Sequence, residues 1–150
     1  MRARGIGTVL ALVCLLCFLV APQAAQAREN GNIHEIGARD AAKMLGENPN
    51  DILVLDVRIP GEFRNGHLPG AKNIDFFGGN FDVEAANLPH DKTTLVYCRS
   101  GKRSAGAVEE LKRAGVKKIL HLHEGMLAWE KAGLPVEKMP DEKQKQGKGK

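Results

Sequence analysis

The sequence predicts an α/β layer sandwich in which helices cover both faces of a central, mostly parallel sheet of about five strands. Three observations predict it. Short apolar runs rich in branched residues occur at 52–56 (Ile-Leu-Val-Leu-Asp) and 93–98 (Thr-Thr-Leu-Val-Tyr-Cys), with a third candidate at 118–122, and read as strands buried on both faces. Segments with helical marks alternate with them. Each of these segments runs into a glycine, the residue that most readily ends a helix.

Taken in order, the first helical segment is 38–45, stopped by Gly46, and the strand at 52–56 follows it. The strand at 93–98 leads directly into a helix over 103–114, where Val108, Leu111 and Ala114 share helical spacing and Gly115 is the stop. After 118–122 a last helix spans 126–132 and ends at Gly133 and Pro135. No internal repeat, extended linker or heptad pattern appears. One domain accounts for the chain, whose 150 residues are 43% hydrophobic and 27% charged, enough to bury a core.

The two ends stand apart from this domain. Two arginines, an apolar run from Val9 to Ala21 and a small-residue stretch ending Ala25-Gln-Ala27 have the order of a secretory signal peptide, so residues 1–27 are expected to be cleaved near Ala27. The 13-residue run falls short of the roughly 20 that a membrane span needs, which disfavours the competing reading of an uncleaved anchor. The expected domain is 28–137, and 138–150, whose last eight residues are only Lys, Gln and Gly, is expected to be a disordered basic tail. An exported location, such as the periplasm, follows for the mature chain, with no stable membrane insertion after cleavage.

Charge excludes one class of function. The formal net charge is +4, but residues 1–27 and the tail from 137 each carry +2, so the stretch 28–136 is neutral overall. The basic pI comes from the ends rather than from a binding face. Aromatics make up only 5%, too few for a stacking platform, and no nucleic-acid partner is expected.

Cysteine usage is more telling. Cys14 and Cys17 leave with the peptide, so Cys98 is a single thiol sent to an oxidising compartment without a partner for a disulfide. A buried core cysteine is the ordinary fate of such a residue. Its neighbours argue for another. Cys98 ends a central strand, Gly101 allows a tight turn whose backbone N–H groups converge, and the helix beginning near Arg103 adds the positive end of its dipole. Arg99, Lys102 and Arg103 place three cations within six residues of an otherwise neutral domain. A thiol reacts as its thiolate, and this loop collects the groups that stabilise one.

A second charged exit follows the strand at 52–56, where Asp56 and Arg58 lie at its carboxyl end, the usual side for ligands in open α/β sheets. Asp56 is expected to balance the cationic loop, or simply to cap its strand, with Arg58 beside the pocket and Glu62 near enough to pair with Arg58. His67, in Gly-His-Leu-Pro-Gly, is expected to pack and hydrogen-bond. His121 and His123 alternate on a strand but lack a further ligand in a suitable spacing, so neither a metal nor any cofactor is expected. Met126 and Trp129 sit at helix positions suited to core or pocket wall.

These segments together resemble the rhodanese family of single-domain sulfurtransferases. The resemblance is carried by Leu-Asp-Val-Arg at 55–58, Glu62-Phe63, Gly-His-Leu-Pro-Gly-Ala at 66–71, Val-Tyr-Cys-Arg-Ser-Gly-Lys-Arg-Ser at 96–104, and Gly-Met-Leu-Ala-Trp at 125–129, in that order, within residues 33–137. It implies the rhodanese-like three-layer sandwich and a Cys98 persulfide that carries sulfane sulfur from thiosulfate or a related donor to cyanide or a thiol acceptor. Arg99, Ser100, Gly101, Lys102, Arg103 and Arg58 would then bind the donor, with Asp56 in support. A persulfide carrier with slow turnover, serving a thiol acceptor protein, uses the same loop. Phosphatases and arsenate reductases of similar fold need a larger loop, with five residues between Cys and Arg, where Cys98 and Arg103 enclose four. Glu124-Gly125 stands where the family usually has two glycines.

Overall fold

The computed structural model describes residues 32–140. The expected signal peptide at 1–27 and the tail beyond residue 140 lie outside the described residues. Five strands and five helices alternate: β1 (Asn32–Ile36), α1 (Ala38–Glu47), β2 (Ile52–Asp56), α2 (Pro60–Asn65), β3 (Lys72–Asn73), α3 (Phe81–Ala86), β4 (Thr93–Tyr97), α4 (Lys102–Arg113), β5 (Lys118–Leu122) and α5 (Gly125–Lys131). The strands form one sheet in the order β1-β5-β4-β2-β3, and every pairing within it is parallel.

Alternation along the strands sorts the core into two layers. Leu55, Val57, Val96 and Ile119 face α3 and α4, packing with Phe81, Ala85, Ala107, Val108 and Leu111. Val54, Leu95, Tyr97, Leu120 and Leu122 face the opposite side, against Ala38, Ala41, Met126 and Trp129 of α1 and α5. Each fully buried Leu or Ile contributes about 1.5–3 kcal/mol relative to exposure. His67 packs on the ring of Phe63 at 3.9 Å and bonds the Phe63 carbonyl, and Trp129 donates from Nε1 to the Pro135 carbonyl at 2.8 Å.

Strands β2, β4 and β5 fall where the apolar runs place them, except that Cys98 lies one residue past the end of β4. The elements not anticipated are β1, α2, β3 and α3. They are short or half-exposed: α2 buries none of its residues, β3 has two, and β1 is an edge strand with only Ile33 and Ile36 partly covered. Past Glu137 the chain stays attached, since Met139 N–H donates to the Arg64 carbonyl at 3.2 Å, so the packed chain reaches beyond the expected boundary.

The topology singles out one crevice. From β2 the chain moves outward to β3, then returns to β4 on the other side of β2 and continues to β5. The direction of winding reverses between β2 and β4, and such a switch point leaves a cleft at the carboxyl ends of those strands. The residues there are Asp56–Arg58 and the Cys98 loop.

Candidate active site

The loop from Cys98 to Ser104 is shaped by two close approaches that admit only glycine. Gly101, the residue before α4, has φ +85°, and a Cβ there would lie 1.7 Å from the His123 carbonyl oxygen. Gly125 has φ +62°, and its Cβ would lie 2.4 Å from the Cys98 carbonyl oxygen. With no side chain in the way, the first N–H groups of α5 reach the loop from behind: Met126 donates to Cys98 O at 2.8 Å and Leu127 to Arg99 O at 3.1 Å. The loop carbonyls are thus turned away from the sulfur, and its N–H groups toward it.

Cys98 is a free thiol and only 1% exposed. Burial pushes its ionisation up, yet the Ser104 hydroxyl and the backbone N–H groups of Ser104, Ser100 and Arg103 outweigh that, and the thiol is held below its ordinary value of 9.0. The bland expectation of a buried cysteine and the sharper one of an activated cysteine therefore both describe this residue. Arg103 also reaches the sulfur, and its guanidinium is oriented by a two-pronged pair with Glu62 of α2, at 2.7 and 2.9 Å. Arg99, Ser100 and Lys102 are exposed around the loop, and neither Arg99 nor Lys102 has an ion-pair partner among the described residues. Of the residues expected to bind a donor, Ser100 and Arg103 converge on the sulfur, Gly101 makes the turn that brings them there, and Arg99 and Lys102 flank it as unneutralised charge.

Asp56 and Arg58 do something else. The Asp56 carboxylate accepts from the Arg58 backbone N–H at 2.9 Å and from Nε at 2.9 and 3.0 Å, and Arg58 Nη2 also donates to the Gly66 carbonyl at 2.7 Å. Both residues are buried, and the guanidinium lies 5.5 Å from the centre of the Tyr97 ring, on the α1 and α5 side of the sheet, whereas Cys98 packs on the other side. Tyr97 completes this cluster: its hydroxyl accepts from the Leu68 N–H at 3.0 Å, and burial, with Asp56 beside it, keeps the phenol protonated. The strand-end reading of Asp56 fits, since its carboxylate caps the Arg58 N–H and pairs with that side chain rather than with the cationic loop. Two expectations change: Arg58 turns Nε and Nη2 to Asp56 and Gly66, on the sheet face opposite Cys98, and Glu62 pairs with Arg103 rather than with Arg58. The reason is reach: two residues after Asp56 the chain turns and brings Arg58 back over the carboxylate, leaving Glu62 on α2 to meet α4.

Three residues acquire roles that sequence reasoning did not assign. Ser104, in the first turn of α4, directs its hydroxyl to Cys98 Sγ at 3.5 Å, a direction that helical side chains favour. His121 of β5 lies 2.9 Å from Ser104 Oγ. Gly125 closes the back of the loop. The first could be found from its offset in the helix; the other two depend on packing between remote segments. Glu124, the departure from the two-glycine pattern, has φ −95°, which any residue adopts, and is exposed. It borders an open depression of about 710 Å³ between α1 and α5 that touches the loop at Ser100 and also includes Arg39, Asp40, His123 and Lys131. No cluster of three or more His, Cys, Asp or Glu is placed to hold a metal among the described residues.

Comparison with known proteins identifies the family and the fold. The model of the family described as "Rhodanese-like domain" matches residues 37–132. A sulfurtransferase of Allochromatium vinosum is 31% identical over 104 residues, 69% of this chain and 94% of that protein. Thiosulfate sulfurtransferase 16 of Arabidopsis thaliana, a chloroplastic protein, is 32% identical over 92 residues, 55% of this chain and 77% of its own length. A rhodanese-related protein from Thermoplasma volcanium superposes with a TM-score of 0.58 at 33% identity, covering 69% of this chain and 97% of the other. Other curated relatives are longer, and the match spans 48% and 29% of two of them.

Proposed function

The chain belongs to the rhodanese-like family of sulfurtransferases, and from that premise we propose that it moves sulfane sulfur from thiosulfate, through a persulfide on Cys98, to cyanide or a thiol acceptor. The observation that carries this reading is the convergence of N–H donors, the Ser104 hydroxyl and the Arg103 guanidinium on a thiol whose ionisation is favoured. The same donors serve each stage. Cys98 thiolate attacks the outer sulfur of thiosulfate; the S–S bond of the donor breaks and sulfite leaves with its electron pair. The persulfide anion occupies the space that the loop has prepared for negative charge. An acceptor thiolate or cyanide then bonds to the outer sulfur, and the Cys98 thiolate departs. Arg99 and Lys102 draw in the dianionic donor.

Thiosulfate as donor is supported by the doubly anionic charge that the cations suit and by the name of the Arabidopsis relative. A thiol acceptor, small or carried on a protein, would approach over the depression bordered by Ser100. The order of charges, apolar run and small residues in 1–27 supports an exported, periplasmic site of action. Cell fractionation with and without these residues checks that location.

Intact-mass measurement tests the chemistry. Incubation of the mature chain with thiosulfate should add one sulfur atom, removable by cyanide or thiol, and C98S should gain none. Rapid loss of the added sulfur to cyanide marks an enzyme, and persistence until a specific protein thiol is supplied marks a carrier. No mass gain on the parent protein sinks the reading.

A further inference from the structure

Behind Cys98, on the face of the sheet that α4 covers, runs a line of polar groups of which the sulfur chemistry above uses only the Ser104 hydroxyl. Sγ is 3.5 Å from Ser104 Oγ, Oγ is 2.9 Å from His121 Nε2, and the other ring nitrogen, Nδ1, is 3.7 Å from Glu35 Oε1. Three elements supply it: α4, β5 and the edge strand β1, whose Glu35 is in register with His121. Ser104 and His121 are buried, while the Glu35 side chain is 70% exposed. The line therefore starts at an enclosed sulfur and ends at solvent.

The Ser104 hydroxyl has one hydrogen and three acceptors within reach, Sγ, the Gly101 carbonyl at 3.0 Å and His121 Nε2. When the imidazole carries its hydrogen on Nδ1 alone, Nε2 accepts and draws the hydroxyl hydrogen away from the sulfur. When Nε2 is protonated it donates to Oγ, and that hydrogen is free to turn to Sγ. The state of His121 thus governs how well Ser104 can support a thiolate.

We propose that Ser104 and His121 form a proton relay for Cys98. As the thiol ionises, its proton passes to Ser104 Oγ while the proton already on Oγ passes to His121 Nε2. An S–H bond and an O–H bond break, an O–H bond and an N–H bond form, and nothing is oxidised. The products are a Cys98 thiolate, a hydroxyl that now donates to it, and an imidazolium whose Nδ1–H faces Glu35. Burial, opposed by Glu35 and the Gly101 carbonyl and assisted by His123 just past the end of β5, holds the imidazole below its ordinary value, so that the free ring is neutral and Nε2 is open to a proton. Glu35 and His123 are the titratable groups that bear on the ring, together with Cys98 behind Ser104; α4 offers it only the hydroxyl. Ser104 touches the reacting sulfur, whereas His121 acts through Ser104 and is a positioning residue. The relay rests on Cys98 being the sulfur carrier, but its signature is the ionisation of the thiol.

The rate of Cys98 alkylation by iodoacetamide as a function of pH tests it with no sulfur donor present, so the outcome is independent of the mass measurement on sulfur loading. Glutamine can keep a hydrogen bond to Ser104 but cannot hold a proton, so a purely structural His121 would leave H121Q at the parent profile. The relay requires H121Q and S104A each to alkylate about tenfold more slowly than the parent on the acidic limb, all curves meeting at alkaline pH. The double variant should be no slower than S104A, because both changes cut the same line. Superimposable profiles for parent and H121Q, or single losses that multiply in the double variant, overturn the proposal. Melting by circular dichroism identifies a variant that has lost its fold. Should H121Q melt early, S104A, which removes one oxygen, carries the test, and a parent-like profile for it overturns the relay equally.

Discussion

Strands β2 and β4 leave the sheet side by side, and each delivers charged residues to the same crevice within a few positions of its last paired residue. After β2, the anion and the cation come together: Asp56 and Arg58 close on each other, Gly66 takes up a remaining N–H, and Tyr97 covers the pair. After β4, donors converge on the thiolate, and of the three loop cations only Arg103 has a carboxylate partner among the described residues, Glu62. The first arrangement is sealed and holds the strand ends; the second is electrostatically incomplete and suits an incoming anion. Charge near a strand end therefore does not identify a binding residue. Whether its counter-charge is already present does.

The contrast can be broken most severely at Gly101. Alanine there combines a left-handed backbone with a contact that the His123 carbonyl cannot yield to, so G101A should lose more than about 3 kcal/mol and, with the loop displaced, the fast alkylation of Cys98. Urea melts and iodoacetamide kinetics on the same sample check both losses; an intact, reactive thiol in G101A would show that the loop is not the source of activation.

D56N addresses the sealed side. A buried guanidinium left without its carboxylate costs about 3 kcal/mol or more, a fall in Tm of roughly 10 °C, while Cys98 alkylation stays within about twofold of the parent. A variant that melted normally but alkylated slowly would reverse the roles given to the two exits.

On the open side, R99A and K102A should each raise KM for thiosulfate about threefold with kcat unchanged, and the difference should vanish near 1 M salt, as long-range attraction does. Steady-state rates at two ionic strengths decide this. A salt-independent loss would mean direct contact with the donor instead.

The smallest effect is expected at Glu62. Its bond with Arg103 holds the carboxyl below its ordinary value of 4.5, so the folded state gains from the pair above that pH and loses the gain as pH falls through the depressed value. E62Q should be less stable than the parent by about 1 kcal/mol or less at pH 7, with the two converging in acid. Melts across that range measure it.

Much of this architecture is legible from local pattern. The runs at 52–56 and 118–122 carry enough branched apolar residues to mark β2 and β5 to the residue, and glycines close α4 and α5 near their observed ends, whereas α1 runs through Gly46 and ends at Glu47, capped by Asn48. The short elements escape because they lack periodicity: α2 buries nothing, and β1 shows half-covered Ile33 and Ile36 among exposed neighbours. At the site, Cys98, Gly101 and Arg103 could be singled out because strand, turn and helix start are contiguous. His121 could not, since 17 residues separate it from Ser104 and only the β4–β5 pairing and the covering helix bring them together.

By itself, then, the chain determined the alternation of strands and helices and the donor-rich turn at Cys98, because both depend on residues within a few positions of one another. Which charges neutralise each other was decided in three dimensions. Arg58 folds back on Asp56, Glu62 meets Arg103 across 41 residues, and His121 stands behind Ser104. Coulomb attraction and hydrogen bonding follow distance in space, and that distance exists only once the layers have packed.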